Sequence, residues 1–395
     1  MKPTILAPAV IGIIILVMVV VAMYIPNSLP VNSDFNAIYF TDLALVHGIH
    51  IYDIPKMEAL ALQSSGAPRE TFFMPRFPYP PWYALSTFYL GLLPIHTAVT
   101  LWFELNLIML FLSIWLLTDG WPSRLRLIAF PLGLFFLPVL GVLSVGQYDF
   151  PVLLGISLLF YALRKENISL TVLGTILLTF KPHVGALILL FVLIYLIGSR
   201  SNFGRSAVRL LMFVGALLFI FGFIADSKWP LNYPKMLLNY QGEGNVFSCS
   251  ECVSVPMYLS RWLFDGSLSR AAGIALVILV VLLGTVWLQR KVLLNSQELL
   301  LTAAILITLL VSPYLYNYDF VLLLVPFAIL LIWGGISQKA VVIICYLAPT
   351  IALAIYGRAG NMSLIIVTLI LALLLFLHAT FIVDVSTVAS YNTKN

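Results

Sequence analysis

The sequence predicts an all-α, polytopic membrane protein, and three observations carry that prediction. Of 395 residues, 62% are hydrophobic and 9% charged, and the mean hydropathy is +1.05. A water-exposed globule carries roughly 25% charge, so this chain lacks the polar surface to coat one. The apolar runs 11–23, 107–117, 271–288 and 364–377 are continuous rather than alternating. That pattern excludes an outer-membrane β-barrel and suits helices approaching the roughly 20 residues that a bilayer demands. Finally, no Lys/Arg run exceeds two residues. The net charge of +5 therefore speaks of topology and anionic membrane lipid, and no nucleic-acid partner is expected.

The elements follow in order. Lys2 precedes an apolar run over about 5–25, too long for a signal-peptide core and without a clean small-x-small cleavage site. It reads as an uncleaved first span with a cytoplasmic N-terminus. Polar breaks carrying Arg124 and Arg126, Arg164 and Lys165, Arg200, Arg205 and Arg209, Arg290 and Lys291, and Lys339 are placed in the cytoplasm by the positive-inside rule. Keeping them there allows only one span between 80 and 117: 82–93 becomes a juxtamembrane helix on the outer side, and 97–117 the second span. The remaining spans are expected at 127–143, 147–163, 168–180, 184–198, 208–225, 270–288, 298–312, 318–335, 340–356 and 361–382, about twelve transmembrane helices in all. Residues 1–395 form a single integral membrane domain, with no soluble domain and no inverted repeat of the kind many transporters carry.

This topology exposes two long loops, 26–96 and 226–269, and several short turns on the extracytoplasmic face. Loops of several tens of residues exceed what a helical bundle needs for connection, so they fold over a site or bind something. The first carries its own helical signals: Asn32-Ser33-Asp34 supplies cap-type residues before Phe35–Val46, and a short helix is expected at 55–63. The second holds Cys249 and Cys252, a tight disulfide or two free thiols rather than a four-ligand zinc site.

Most polar residues of interest fall on that face. Asp34, just beyond the first span and followed by aromatics, reads first as a helix N-cap. A partly buried carboxylate there could instead accept a proton from a hydroxyl. Phe77-Pro78-Tyr79-Pro80-Pro81-Trp82 fixes an extended lead-in to a helix and, taken alone, reads as an interface anchor. Lys181 and His183 interrupt an apolar stretch; Lys181 suits phosphate or snorkels to the surface, and His183 is as readily structural as catalytic. Gly146-Gln147-Tyr148-Asp149 and Asn317-Tyr318-Asp319 offer hydrogen bonds to hydroxyl-rich ligands, though turns select similar residues. Arg358 adds a cation to the same face, and Glu104 lies within a span. Walker, dinucleotide-binding, histidine-cluster and G-x-S-x-G motifs are absent.

In that order, Asp34-Phe35-Asn36-Ala37-Ile38-Tyr39, Phe77-Pro78-Tyr79-Pro80-Pro81, Gly146-Gln147, Lys181-Pro182 and Ser312-Pro313 followed by Tyr316-Asn317-Tyr318-Asp319 resemble the motifs of GT-C superfamily glycosyltransferases that use polyprenyl-phosphate sugars. The chain is most similar to the family 87 mannosyltransferases. The resemblance implies a GT-C fold with a large first extracytoplasmic loop bearing juxtamembrane helices. It also implies an inverting transfer of a hexose, commonly mannose, from a polyprenyl-phosphate donor to a hydroxyl of a lipid or glycan acceptor at the outer face of the plasma membrane. Asp34 takes the general-base role by its match to the family's acidic residue. Lys181, His183 and Arg358 are expected at the donor phosphate, and Gln147, Tyr148, Asn317 and Tyr318 at sugar or acceptor hydroxyls. No metal and no cofactor is expected. The alternatives from other classes are a secondary transporter and a non-catalytic lipid-binding subunit.

Overall fold

The computed structural model describes residues 33–65, 76–239, 252–293 and 296–392, together with Gly12. The expected first span and Cys249 lie outside the described residues. Every regular element among the described residues is a helix. Among the described residues, four helices are long and apolar enough to cross a membrane: Ile95–Leu117, Asn202–Ala225, Leu268–Leu288 and Ile336–Leu377, the last interrupted by the 3-10 turn Gly357–Asn361. Their outer faces carry the exposed aliphatics expected of lipid contact, such as Val277, Val280 and Val281.

A fifth candidate span is the pair Ser123–Leu134 and Leu137–Val145, bent by 51°. The sequence predicts one span over 127–143, and the break in it has a plain cause. Pro138, in the first turn of the second helix, has no N–H to continue the ladder, and its ring clashes with a preceding carbonyl. Helices also occupy the other expected spans, but Asp149–Arg164, Ile168–Leu178, Pro182–Gly198 and Gln297–Val311 are short. At about 1.5 Å per residue, the 11 residues of Ile168–Leu178 cover roughly half of a 30 Å hydrocarbon core. The segment expected to be helical from 318 begins instead as the 3-10 turn Asn317–Leu323, continuing as Leu324–Trp333.

Gln297–Val311 is the centre of the bundle. All its residues from Leu299 to Val311 are buried, as befits a helix that is apolar all round. Its two threonines spend their hydroxyls on their own helix, Thr302 on Glu298 O and Thr308 on Ala304 O, both at 2.7 Å. Against it pack Pro182–Gly198, Asp149–Arg164, Leu268–Leu288 and Met362–Asn392.

The helices Phe35–Val46, Ile54–Ser65 and Pro81–Thr87 build a second, aromatic core with Trp102, Tyr148 and Phe180. Helices occur where the sequence expects them in this region. Phe35–Val46 lies on the 3-10 turn Phe88–Leu92, and the approach is so close that a Cβ on Gly91 would fall 2.4 Å from the Asp42 carbonyl carbon. Only glycine fits there. Tyr52 Oη donates to Tyr79 O at 2.7 Å and Tyr39 Oη to Leu93 O at 3.0 Å, tying the unit across long stretches of chain. Its other edge faces the ends of the short helices, where the polar residues gather.

Candidate functional site

Gly146 starts the site. It closes Leu137–Val145 in the left-handed conformation, φ +68°, which costs glycine nothing and reverses the chain into the next helix. Trp102 Nε1 donates to its carbonyl at 2.9 Å, and a Cβ here would stand 2.9 Å from that of Phe35. The turn is thereby pressed against the first residue of Phe35–Val46, and Gln147 comes to Asp34.

Asp34 does not cap its helix. Its backbone is helical, φ −65° and ψ −22°, rather than extended as an N-cap requires, and its side chain makes no capping bond. The carboxylate turns instead to Gln147, whose Nε2 donates to Oδ2 at 2.9 Å. Gln147 is itself fixed, since its Oε1 accepts from Tyr148 N at 3.1 Å. Burial pushes the Asp34 carboxyl above its ordinary range; the Lys181 charge and the Gln147 hydrogen bond pull it part of the way back, and nearby Asp319 adds to the rise. The result is a partly exposed carboxylate of increased basicity, held by an amide.

Lys181 lies deeper. Pro182 opens the following helix, and Lys181 before it takes an extended backbone, φ −126° and ψ 80°, in keeping with the restriction proline imposes on its predecessor. The side chain is 2% exposed and its ammonium meets two carboxylates: Asp149 Oδ1 at 2.7 Å and Asp319 Oδ1 at 2.5 Å, both on fully buried side chains. The Tyr318 and Tyr148 rings stand 4.9 and 5.8 Å from it. Snorkelling to the surface is thus excluded. A phosphate reaching this ammonium would have to displace a carboxylate already in place. Asp319 has a further task, its Oδ2 accepting from Tyr316 N at 2.6 Å and setting the 3-10 turn.

Six of the expected site residues, Asp34, Gln147, Tyr148, Lys181, His183 and Tyr318, share this neighbourhood. The His183 ring is exposed and meets Tyr314 edge-on at 5.9 Å. Tyr314 Oη donates to Tyr316 Oη at 3.2 Å, and Tyr316 stacks on Tyr318 at 5.2 Å. Asn317, half-buried on the same turn, lies beside Gly141. Arg358 stands apart: it is exposed on Gly357–Asn361, whose main packing partners are the two helices that this turn joins.

Two groups were underread from sequence. Asp149 and Asp319 appear there only as parts of turn motifs, yet they are the partners of Lys181; the available signal was a buried lysine in need of counter-charge. The Phe77–Trp82 segment is also more than an interface anchor. Phe77 and Tyr79 are buried, Tyr79 meets Tyr148 at 4.1 Å, and Trp82 Nε1 donates to Thr179 Oγ1 at 2.9 Å beside the Lys181 turn. Cys252 is disulfide-bonded and Cys345 is a buried free thiol. Glu104 is half-buried on Ile95–Leu117.

A family model described as glycosyltransferase family 87 matches residues 77–313. That stretch holds Gln147, Asp149, Lys181 and His183. No curated protein and no solved structure matches the chain.

Proposed function

The chain belongs to glycosyltransferase family 87, and from that premise we propose that it moves a hexose, mannose in the first instance, from a polyprenyl-phosphate donor to a hydroxyl of a lipid or glycan acceptor, inverting the anomeric centre. The observation that carries the proposal is the Asp34 carboxylate: released from capping, oriented by Gln147, partly exposed and raised in basicity by burial.

In this reading Asp34 takes the proton of the acceptor hydroxyl as that oxygen attacks the anomeric carbon. The bond from that carbon to the phosphate oxygen breaks on the opposite face, and the polyprenyl phosphate leaves with the electron pair. Gln147, with both ends of its amide already engaged, orients the base. His183, at the start of Pro182–Gly198, has its pKa pushed down to about 4, chiefly by desolvation, and so meets the departing phosphate as a neutral imidazole donating a ring N–H. Tyr148, Asn317 and Tyr318 hydrogen-bond sugar and acceptor hydroxyls. The prenyl chain lies between helices among membrane lipids. A lipid phosphate leaves without a metal, so activity is expected to survive a chelator. About twelve spans in a GT-C arrangement, with the site on the extracytoplasmic side of the plasma membrane, complete the proposal. The Cys252 disulfide supports that side, since disulfides persist in oxidising compartments.

The test is a transfer assay on the protein in lipid nanodiscs, with radiolabelled polyprenyl-phosphate-mannose and a panel of other lipid-phosphate sugars and acceptors. A labelled product of inverted anomeric configuration is expected. Transfer from nucleotide sugars alone, or retention of configuration, would contradict the reading.

A further inference from the structure

We infer that Lys181 is a positioning residue, whose ammonium closes a buried clamp between Asp149 and Asp319 and so holds in place the turn that presents Gln147 to Asp34. The inference rests on Asp34 being the base, and it gives Lys181 a task other than the phosphate contact that its sequence context suggests.

Two of the ammonium's three donors are committed to carboxylates. A lysine offers three donors and no acceptor; here one goes to each carboxylate, and the flanks are taken by the Tyr318 and Tyr148 rings. The ammonium is already held by two fully buried carboxylates, so a phosphate reaching it has to displace one of them, and a displaced carboxylate is left buried without its counter-charge.

What the clamp does provide is a junction. Its three members come from places far apart in the chain, with Asp149 32 residues and Asp319 138 residues from Lys181. Asp149 belongs to the Gly146–Asp149 turn, two positions after Gln147, so its anchorage fixes that glutamine from the far side. Trp102 and Phe35 fix the preceding Gly146. Asp319 carries the constraint into the other wall: the carboxylate that pairs with Lys181 also receives Tyr316 N, and thereby sets the turn bearing Asn317 and Tyr318. One ammonium therefore registers the base-orienting turn against the aromatic turn.

The clamp also sets the charge around Asp34. The groups that face this carboxylate are Gln147 from the turn, Lys181 from the start of Pro182–Gly198, and Asp319 and Tyr318 from the 3-10 segment. Removing Lys181 takes away a positive charge that favours ionised Asp34, so the acid limb of turnover moves to higher pH. Removing the Asp319 charge takes away a negative one, and the limb moves to lower pH.

The experiment uses the full chain in nanodiscs as wild type, Lys181→Met, Asp319→Asn, the double variant and Asp34→Asn, with polyprenyl phosphate as the binding probe. Lys181→Met is expected to bind polyprenyl phosphate within about twofold of wild type while turnover falls by about tenfold or more. The acid limbs of Lys181→Met and Asp319→Asn are expected to move in opposite directions. The double variant should recover thermal stability that Lys181→Met loses, because it removes one ammonium and one carboxylate together. An affinity loss of about tenfold or more for polyprenyl phosphate in Lys181→Met makes the lysine a phosphate ligand and overturns the inference. Should Lys181→Met fail to fold, the double variant carries the same affinity comparison. Persistence of the acid limb in Asp34→Asn overturns the base reading instead, and the clamp is then judged by the affinity and stability comparisons, which need no turnover.

Discussion

Asp34 immediately precedes the short helix Phe35–Val46 and Asp42 lies about two turns further along it, and burial raises the basicity of both. They differ in access. Asp34 is partly exposed and receives the Gln147 amide at 2.9 Å, whereas Asp42 is fully buried, receives the Thr87 hydroxyl at 3.1 Å on one oxygen and has no partner on the other. A raised carboxyl is thus not sufficient for a base. Catalysis needs a carboxylate that substrate can reach and that a neighbour holds in one orientation.

Replacing each carboxylate in turn breaks the comparison most sharply. Asp34→Asn should lower turnover by about 10²–10⁴-fold, the usual worth of a positioned base, while Asp42→Asn stays within about twofold in the same transfer assay. Removing only the orienting group should cost less: Gln147→Ala is expected to lower turnover by about 10–100-fold, with its acid limb moved to higher pH because ionised Asp34 loses a hydrogen bond.

Asp42 should announce itself in stability instead. Because its folded form keeps a proton to higher pH than the unfolded chain does, wild-type stability falls as pH rises from the ordinary carboxylate range toward the folded value. Asp42→Asn removes that fall, so its advantage in thermal unfolding, about 1 kcal/mol or more, should widen with pH across that window. The smallest effect is expected at the far edge of the aromatic core. Tyr52→Phe deletes the bond to Tyr79 O and should cost about 1 kcal/mol of stability, with turnover little changed.

The same contrast shows what could be read from the sequence. The helices were legible because they depend on local pattern: Phe35–Val46, Ile95–Leu117 and Leu268–Leu288 lie within a few residues of where hydropathy places them. Asp34 and Gln147 were legible through the order of the motifs, and the aromatic lead-in at Phe77–Trp82 through its prolines. Partnership was not. The Lys181–Asp319 pair joins residues 138 positions apart, and no local pattern distinguishes a lysine facing solvent from one facing two carboxylates. Asp34 misled in the opposite way, since a residue type that favours helix caps here spends its carboxylate on a distant amide. Helix length was a further limit: an apolar run reports that a segment is buried, and lipid and a protein interior such as that around Gln297–Val311 satisfy it equally.

The central claim is that Asp34 is the proton acceptor, and the pH dependence of transfer tests it most directly. Turnover at saturating donor, measured across pH for wild type and for the residual activity of Asp34→Asn, should show in the wild type an acid limb above the usual carboxylate range, where falling pH protonates the base. In Asp34→Asn that limb should vanish. An acid limb that survives unchanged in Asp34→Asn, or a variant that turns over at the wild-type rate, would contradict the account.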